Sequence, residues 1–225
     1  MNSFLINPYE RCGLLHNRGL DYVVKNISKP DIYQIIDTIS EYVCSLIRTD
    51  KTFSEKERLS ANQIVSYSIN HLNDIKSVYK DGELTETQII FLEKIISVNP
   101  YMKLENQYED FRQMEAEIFA YPMTSKEKDI LLLATAIGKH SALYWNDVIN
   151  NSKHPWHKWL PKPDQPRYLL AKKKWTKEDA KGAVAGAIGG GVSGIPGGVG
   201  GVLLGATLGA VGGAIGASAA SALFD

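Results

Sequence analysis

Residues 182–224 read GAVAGAIGGGVSGIPGGVGGVLLGATLGAVGGAIGASAASALF, 43 residues without one charge, and 15 of the chain's 19 glycines lie within them. Such a run is about twice the roughly 20 residues that cross a bilayer as a helix. Its glycines are ordered. Gly182, Gly186, Gly190, Gly194 and Gly198 recur every fourth residue, and Gly197, Gly201, Gly205, Gly209 and Gly213 form a second such row. A helix row without side chains lets a second helix approach to backbone contact, gaining dispersion and weak Cα–H···O contacts. Pro196 interrupts the run, so it reads as a helical hairpin with arms near 176–193 and 199–224, the second about 39 Å long at 1.5 Å per residue. Gly186, Gly190, Gly194, Gly201, Gly205, Gly209 and Gly213 are the residues expected to carry self-association. Val184, Ile188, Leu203, Leu204 and Ile215 fall on the opposite face, which is expected to meet lipid.

Immediately before this run the chain is basic. Residues 153–181 carry nine Lys or Arg against three acids, whereas residues 1–152 carry 16 bases and 21 acids; the neutral total hides three unlike regions. Pro155, Pro161, Pro163 and Pro166 forbid a regular helix and mark a boundary. Trp156, Trp159 and Trp175, together with Lys172, Lys173 and Lys174, match the composition that anchors protein at a headgroup layer. By the positive-inside rule the collar holds residues 1–152 on the cytoplasmic side, and a two-span hairpin returns Asp225 there. The expected organisation is a soluble acidic helical domain (1–152), a basic juxtamembrane linker (153–175) and a glycine-zipper transmembrane hairpin (176–225).

The acidic region shows 3.6-residue periodicity throughout and no convincing strand period, so the fold class is all-α. An opening helix from about Tyr9 to Ile27 uses Leu14, Leu15, Tyr22 and Val23. From Pro30, Ile32, Ile35, Ile36, Ile39 and Val43 share a face, with Ser28 and Asp31 as a capping pair. Ser54 and Glu57 open a helix running to Asp81-Gly82. Thr85 with Gln88 and Thr124 with Glu127 are capping boxes for later helices, and between them Leu104 to Ile118 ends at Tyr121-Pro122. Six helices make a bundle of about 150 residues, enough to bury its own core.

Catalytic and metal motifs are sparse. Asp81-Gly82-Glu83 lacks the alternating ligands and closing Glu of a calcium loop and reads as a turn. Cys12, His16 and Asn17 read as capping or packing residues, because a catalytic Cys needs a base placed by the fold. His71 and His140 read as solvated or core positions, and Tyr101, Tyr108, Phe111 and Phe119 as core. His154 and His157 flank Pro-Trp with no carboxylate or thiol nearby, which is poor metal geometry. No enzyme, cofactor, metal or nucleic-acid role is expected. Cys12 and Cys44 are too few for a disulfide framework. The first ten residues lack a basic, then apolar leader, so no secretory signal is read there.

Asn7-Pro8-Tyr9, Gly13, His16-Asn17 and Leu20 resemble the opening of uncharacterised bacterial proteins, mostly from Bacteroidota, that start NPYxxxGxxHNxxL and often carry a glycine-rich tail. The tail itself resembles glycine-zipper bacteriocins and the hydrophobic hairpin of colicin-type toxins. The expected function is a non-enzymatic membrane-associated protein whose helical domain is tethered by a self-associating hairpin, with the bilayer and an unidentified protein as partners. The alternative is a secreted antibacterial or pore-forming effector using the same hairpin.

Overall fold

The computed structural model describes residues 6–47, 55–71, 75–81, 84–98, 103–160, 178–188 and 198–224. Among these the chain is all-helical, without strands. The order is α1 (Glu10–Asn26), α2 (Ile32–Ile47), α3 (Glu55–Asn70), α4 (Ile75–Asp81), α5 (Glu86–Ile96), α6 (Leu104–Ala120), α7 (Ser125–Asn150), a 3₁₀ turn (Pro155–Lys158), α8 (178–188) and α9 (Gly198–Phe224).

Local chemistry sets several helix ends. Thr85 and Thr124 close the two expected capping boxes with Gln88 and Glu127. Gln88 Nε2 also donates to the Glu127 carbonyl at 3.1 Å, tying the starts of α5 and α7 together. At α2 the cap is Asp31 alone, whose Oδ1 accepts from the backbone of Tyr33 (3.0 Å) and Gln34 (3.2 Å). Ser28 was expected to share this capping, but its backbone N–H donates to the Gln34 side chain instead. The single helix expected to follow Ser54 is two described helices. The α3 ladder ends at His71, whose N–H is split between the Tyr67 and Ser68 carbonyls while its ring takes up Tyr67 O at 2.7 Å. The body before residue 152 thus has seven described helices where the periodicity suggested six.

The boundary expected at residue 152 does not divide the core. One buried cluster joins Leu20 and Val23 of α1, Ile39 of α2 and Trp145 of α7 to Val211 and Ile215 of α9. A second joins Leu92, Phe111, Ile118 and Leu131 to Val184 and Ile188 of α8. Helix α9 packs along α3, α1 and α2, with a smaller contact to α7. Val184, Ile188 and Ile215, whose face was expected to meet lipid, are buried against these helices, as is Val211; the surroundings of Leu203 and Leu204 lie outside the described residues. The reason is energetic: a helix apolar on every side is stable only with apolar neighbours all round, and a shell of amphipathic helices supplies them as well as lipid does.

Candidate functional site

Helices α8 and α9 approach to backbone contact. A Cβ built on Gly186 would stand 2.6 Å from the Gly209 carbonyl carbon and 3.1 Å from Gly213 Cα; one on Gly182 would stand 2.8 Å from the Gly213 carbonyl carbon. Gly182 therefore faces Gly213 and Gly186 faces Gly209, an antiparallel register in which four steps along α8 match four steps back along α9. The outer side of α9 meets side chains of the shell less closely. A Cβ built on Gly212 would stand 3.0 Å from Val43 Cγ2, and one on Gly216 would stand 3.0 Å from Ile69 Cγ1. Ile215 fits where Gly19 of α1 has no side chain.

Polar contacts fix this pair against the body. Asp179 of α8, His16 of α1 and Ser141 of α7 are all fully buried. The Ser141 hydroxyl donates to Asp179 Oδ2, and His16 Nε2 lies 3.3 Å from the same oxygen without making a hydrogen bond. Asn17 orients the imidazole: its amide nitrogen donates to the His140 carbonyl at 3.1 Å, and its oxygen meets His16 Nδ1 at 2.9 Å. Asp179 Oδ1 finds no hydrogen-bond partner among the described residues. Because the hydroxyl donates to the carboxylate and not to the imidazole, these residues are not arranged as a nucleophile–base relay. At the other end, Trp145 Nε1 donates to Ser218 Oγ at 3.0 Å.

Beside it runs a second buried network. Lys139 donates to Glu10 and to both carboxylate oxygens of Glu115 (3.1 and 2.9 Å), while Asn7 donates to Glu115 at 2.7 Å and to the Leu132 carbonyl at 2.8 Å. His140 Nε2 meets Glu10 Oε2 at 2.6 Å. Burial opposes the charge of Glu10, but hydrogen bonds from Lys139 and His140 outweigh it and hold its pKa below the ordinary value. Lys139 is the converse: burial works against the ammonium, and its bonds to Glu10 and Glu115 outweigh this and raise its pKa. Burial alone pushes the Cys12 thiol up to about 11, leaving it unreactive at neutral pH.

Of the residues expected to act, Gly186, Gly209 and Gly213 meet within the chain. Gly190 and Gly194 lie outside the described residues, as do Trp175, Lys172, Lys173 and Lys174; the surroundings of Gly201 and Gly205 do too. Trp156, expected at a headgroup layer, is fully buried, its ring 5.6 Å from that of Trp145 and its Nε1 donating to Tyr144 Oη at 2.9 Å. In this fold it presents no surface to lipid. Trp159 is half-buried, with Lys158 Nζ 4.8 Å from its ring centroid. Among the described residues no helix is long and apolar enough to cross a membrane, and no group of three or more His, Cys, Asp and Glu is placed to hold a metal.

Comparison with known protein families, curated proteins and solved structures finds no match. Asn7, Gly13, His16, Asn17 and Leu20 are all drawn into the interior. Asn7 enters the Glu115 network, Gly13 lets α1 approach to within van der Waals distance of His140 and Ala136, His16 and Asn17 reach Asp179 and His140, and Leu20 is buried in the core. Sequence reasoning missed Ser141, Asp179, Lys139, Glu10 and Glu115 as members of a site. Two signals were available: Asp179 is an acid three residues from an uncharged run, and Lys139 interrupts an apolar helix.

Proposed function

We propose that this chain is a non-enzymatic protein that stores a glycine-zipper hairpin, the pair α8 and α9, inside a shell of amphipathic helices and delivers it to a lipid bilayer. The observation that carries this reading is that the hairpin closes its own glycine face, Gly182 on Gly213 and Gly186 on Gly209, while Val184, Ile188, Val211 and Ile215 are buried against the body. A self-associating surface is thus kept satisfied within one chain. The apolar length for insertion comes from the uncharged run 182–224, since the described residues alone supply no spanning helix. After release, the same glycine rows pack hairpin against hairpin. The basic collar draws the protein to anionic lipid and keeps the body on its own side of the bilayer. In a cytoplasmic setting this tethers the helical body; in an exported setting it makes an antibacterial effector.

A second reading treats α8 and α9 as permanent core. The burial of their described residues and the absence of a spanning helix among them favour it. One experiment separates the two. In a Cys12→Ala/Cys44→Ala background, Val43→Cys with Gly212→Cys locks α9 to α2, the two positions being close enough for a disulfide. The protein is added to dye-loaded vesicles of phosphatidylcholine and phosphatidylglycerol. Storage predicts silence when oxidised and at least tenfold faster leakage on reduction. Equal leakage, or none, in both states refutes storage and leaves the permanent core.

A further inference from the structure

The described parts of the hairpin carry three charged side chains, Glu178, Asp179 and Lys181. Glu178 and Lys181 satisfy each other at 3.2 Å across one turn of α8. Asp179 is the one that points into the body, where it meets two different helices at once, α1 through His16 and α7 through Ser141. Apolar packing is non-directional and tolerates sliding. A buried carboxylate that is bonded by Ser141 and set 3.3 Å from the His16 ring does not, because displacement costs it that hydrogen bond and that neighbour in a low-dielectric interior. Asn17 adds to this by holding the imidazole through the His140 carbonyl.

Position matters as much as partners. Asp179 lies three residues before Gly182, where the uncharged run begins. It therefore marks the aqueous end of the first arm: a hairpin entering a bilayer from this side leaves Asp179 at the surface, while one docked in the body must bury it. Docked and released states differ most sharply at this carboxylate.

We propose that Asp179, clasped between His16 and Ser141, is the autoinhibitory latch of the stored hairpin: breaking the clasp undocks α8 before the rest of the body unfolds. This rests on the storage reading above, and the two fail separately. The test is hydrogen exchange on the full chain, comparing wild type with Asp179→Asn, which keeps the shape and loses the charge, and with the milder Ser141→Ala. The latch predicts that amides 180–188 exchange at least tenfold faster in Asp179→Asn, with a smaller gain in Ser141→Ala, and that α5 and α6 gain less than α8. Thr85→Ala, which weakens the cap of α5, is the control and should leave α8 unchanged. Uniform acceleration across all helices, or none in α8, overturns the latch. In the same vesicles Asp179→Asn should leak dye at least tenfold faster than wild type. Faster α8 exchange without faster leakage keeps the latch and refutes storage; leakage by wild type with unchanged α8 exchange in Asp179→Asn keeps storage and refutes the latch.

Discussion

Replacing Gly186 by Ala adds one methyl group, and the structure sets its cost. On an ordinary helix surface the change stabilises by about 1 kcal/mol, because Gly is the poorer helix former. At Gly186 the new Cβ would stand 2.6 Å from the Gly209 carbonyl carbon, against the roughly 3.5–4.0 Å of an unstrained carbon contact. Helices α8 and α9 must therefore part by about 1 Å, a gap that forfeits up to about half of each dispersion contact along the seam. The obstructing group is backbone, so no flexible side chain can swing aside. Overpacking costs typically about 1–3 kcal/mol, and a backbone obstruction belongs at the upper end. Net of the propensity gain, about 2 kcal/mol of destabilisation is expected, a fall in Tm of about 4–8 °C for a chain of this size. Gly216→Ala is the matched control. Its nearest neighbour is Ile69 Cγ1 at 3.0 Å, a side-chain atom able to move, so its effect should stay within about 1 kcal/mol of zero. Urea unfolding of both variants, followed by far-ultraviolet circular dichroism, measures the difference. If Gly186→Ala is as stable as wild type or more so, α8 and α9 do not touch through their glycine rows, and storage loses its basis.

Lys139→Met takes the cation from between Glu10 and Glu115 and leaves Glu115 buried without it; a loss of about 3–5 kcal/mol is expected in the same urea assay, and a loss below about 1 would refute the network. The folded pKa of Glu10 is depressed, so its contribution is present above the ordinary value of 4.5 and is lost as pH falls below it. The urea midpoint should accordingly drop between about pH 5 and pH 3, with Glu10→Gln showing a shallower drop; parallel curves would exclude Glu10 as a source. Thr85→Ala and Thr124→Ala should each cost about 1 kcal/mol, and because Gln88 donates to the Glu127 carbonyl the double variant should depart from additivity. Strict additivity in the double-mutant cycle would show the two helix starts to be independent.

What was legible in the sequence was local. Thr85 with Gln88 and Thr124 with Glu127 specify helix starts within four residues, and both formed as read. The all-helical class followed from apolar spacing alone. The destination of the glycine-rich segment was not legible, because periodicity and charge record that a helix wants apolar surroundings without recording whether lipid or protein supplies them. Trp156 shows the same ambiguity at one residue. Beside lysines and prolines it has the composition of a headgroup anchor, yet its indole N–H bonds the Tyr144 hydroxyl inside the body. The polar clasp was illegible for a different reason. His16, Ser141 and Asp179 come from three distant parts of the chain, and no spacing rule joins them. Gly13 and Gly19 held a clue, since two glycines within one short helix mark places where a neighbour comes close; they admit His140 and Ile215.

The placement of α9 also bears on how the molecule is made. Leu20, Ile39 and Val65 belong to helices that leave the ribosome early, yet they bury themselves against α9, which ends at Phe224. At 5–20 residues per second, α1 waits about 10–40 seconds for that partner. During this interval the apolar sides of α1, α2 and α3 lie bare, a binding surface for chaperones and a hazard for pairing between neighbouring nascent chains. The time between α1 and α9, and not only the sequence of the shell, thus bears on how the chain reaches its folded state.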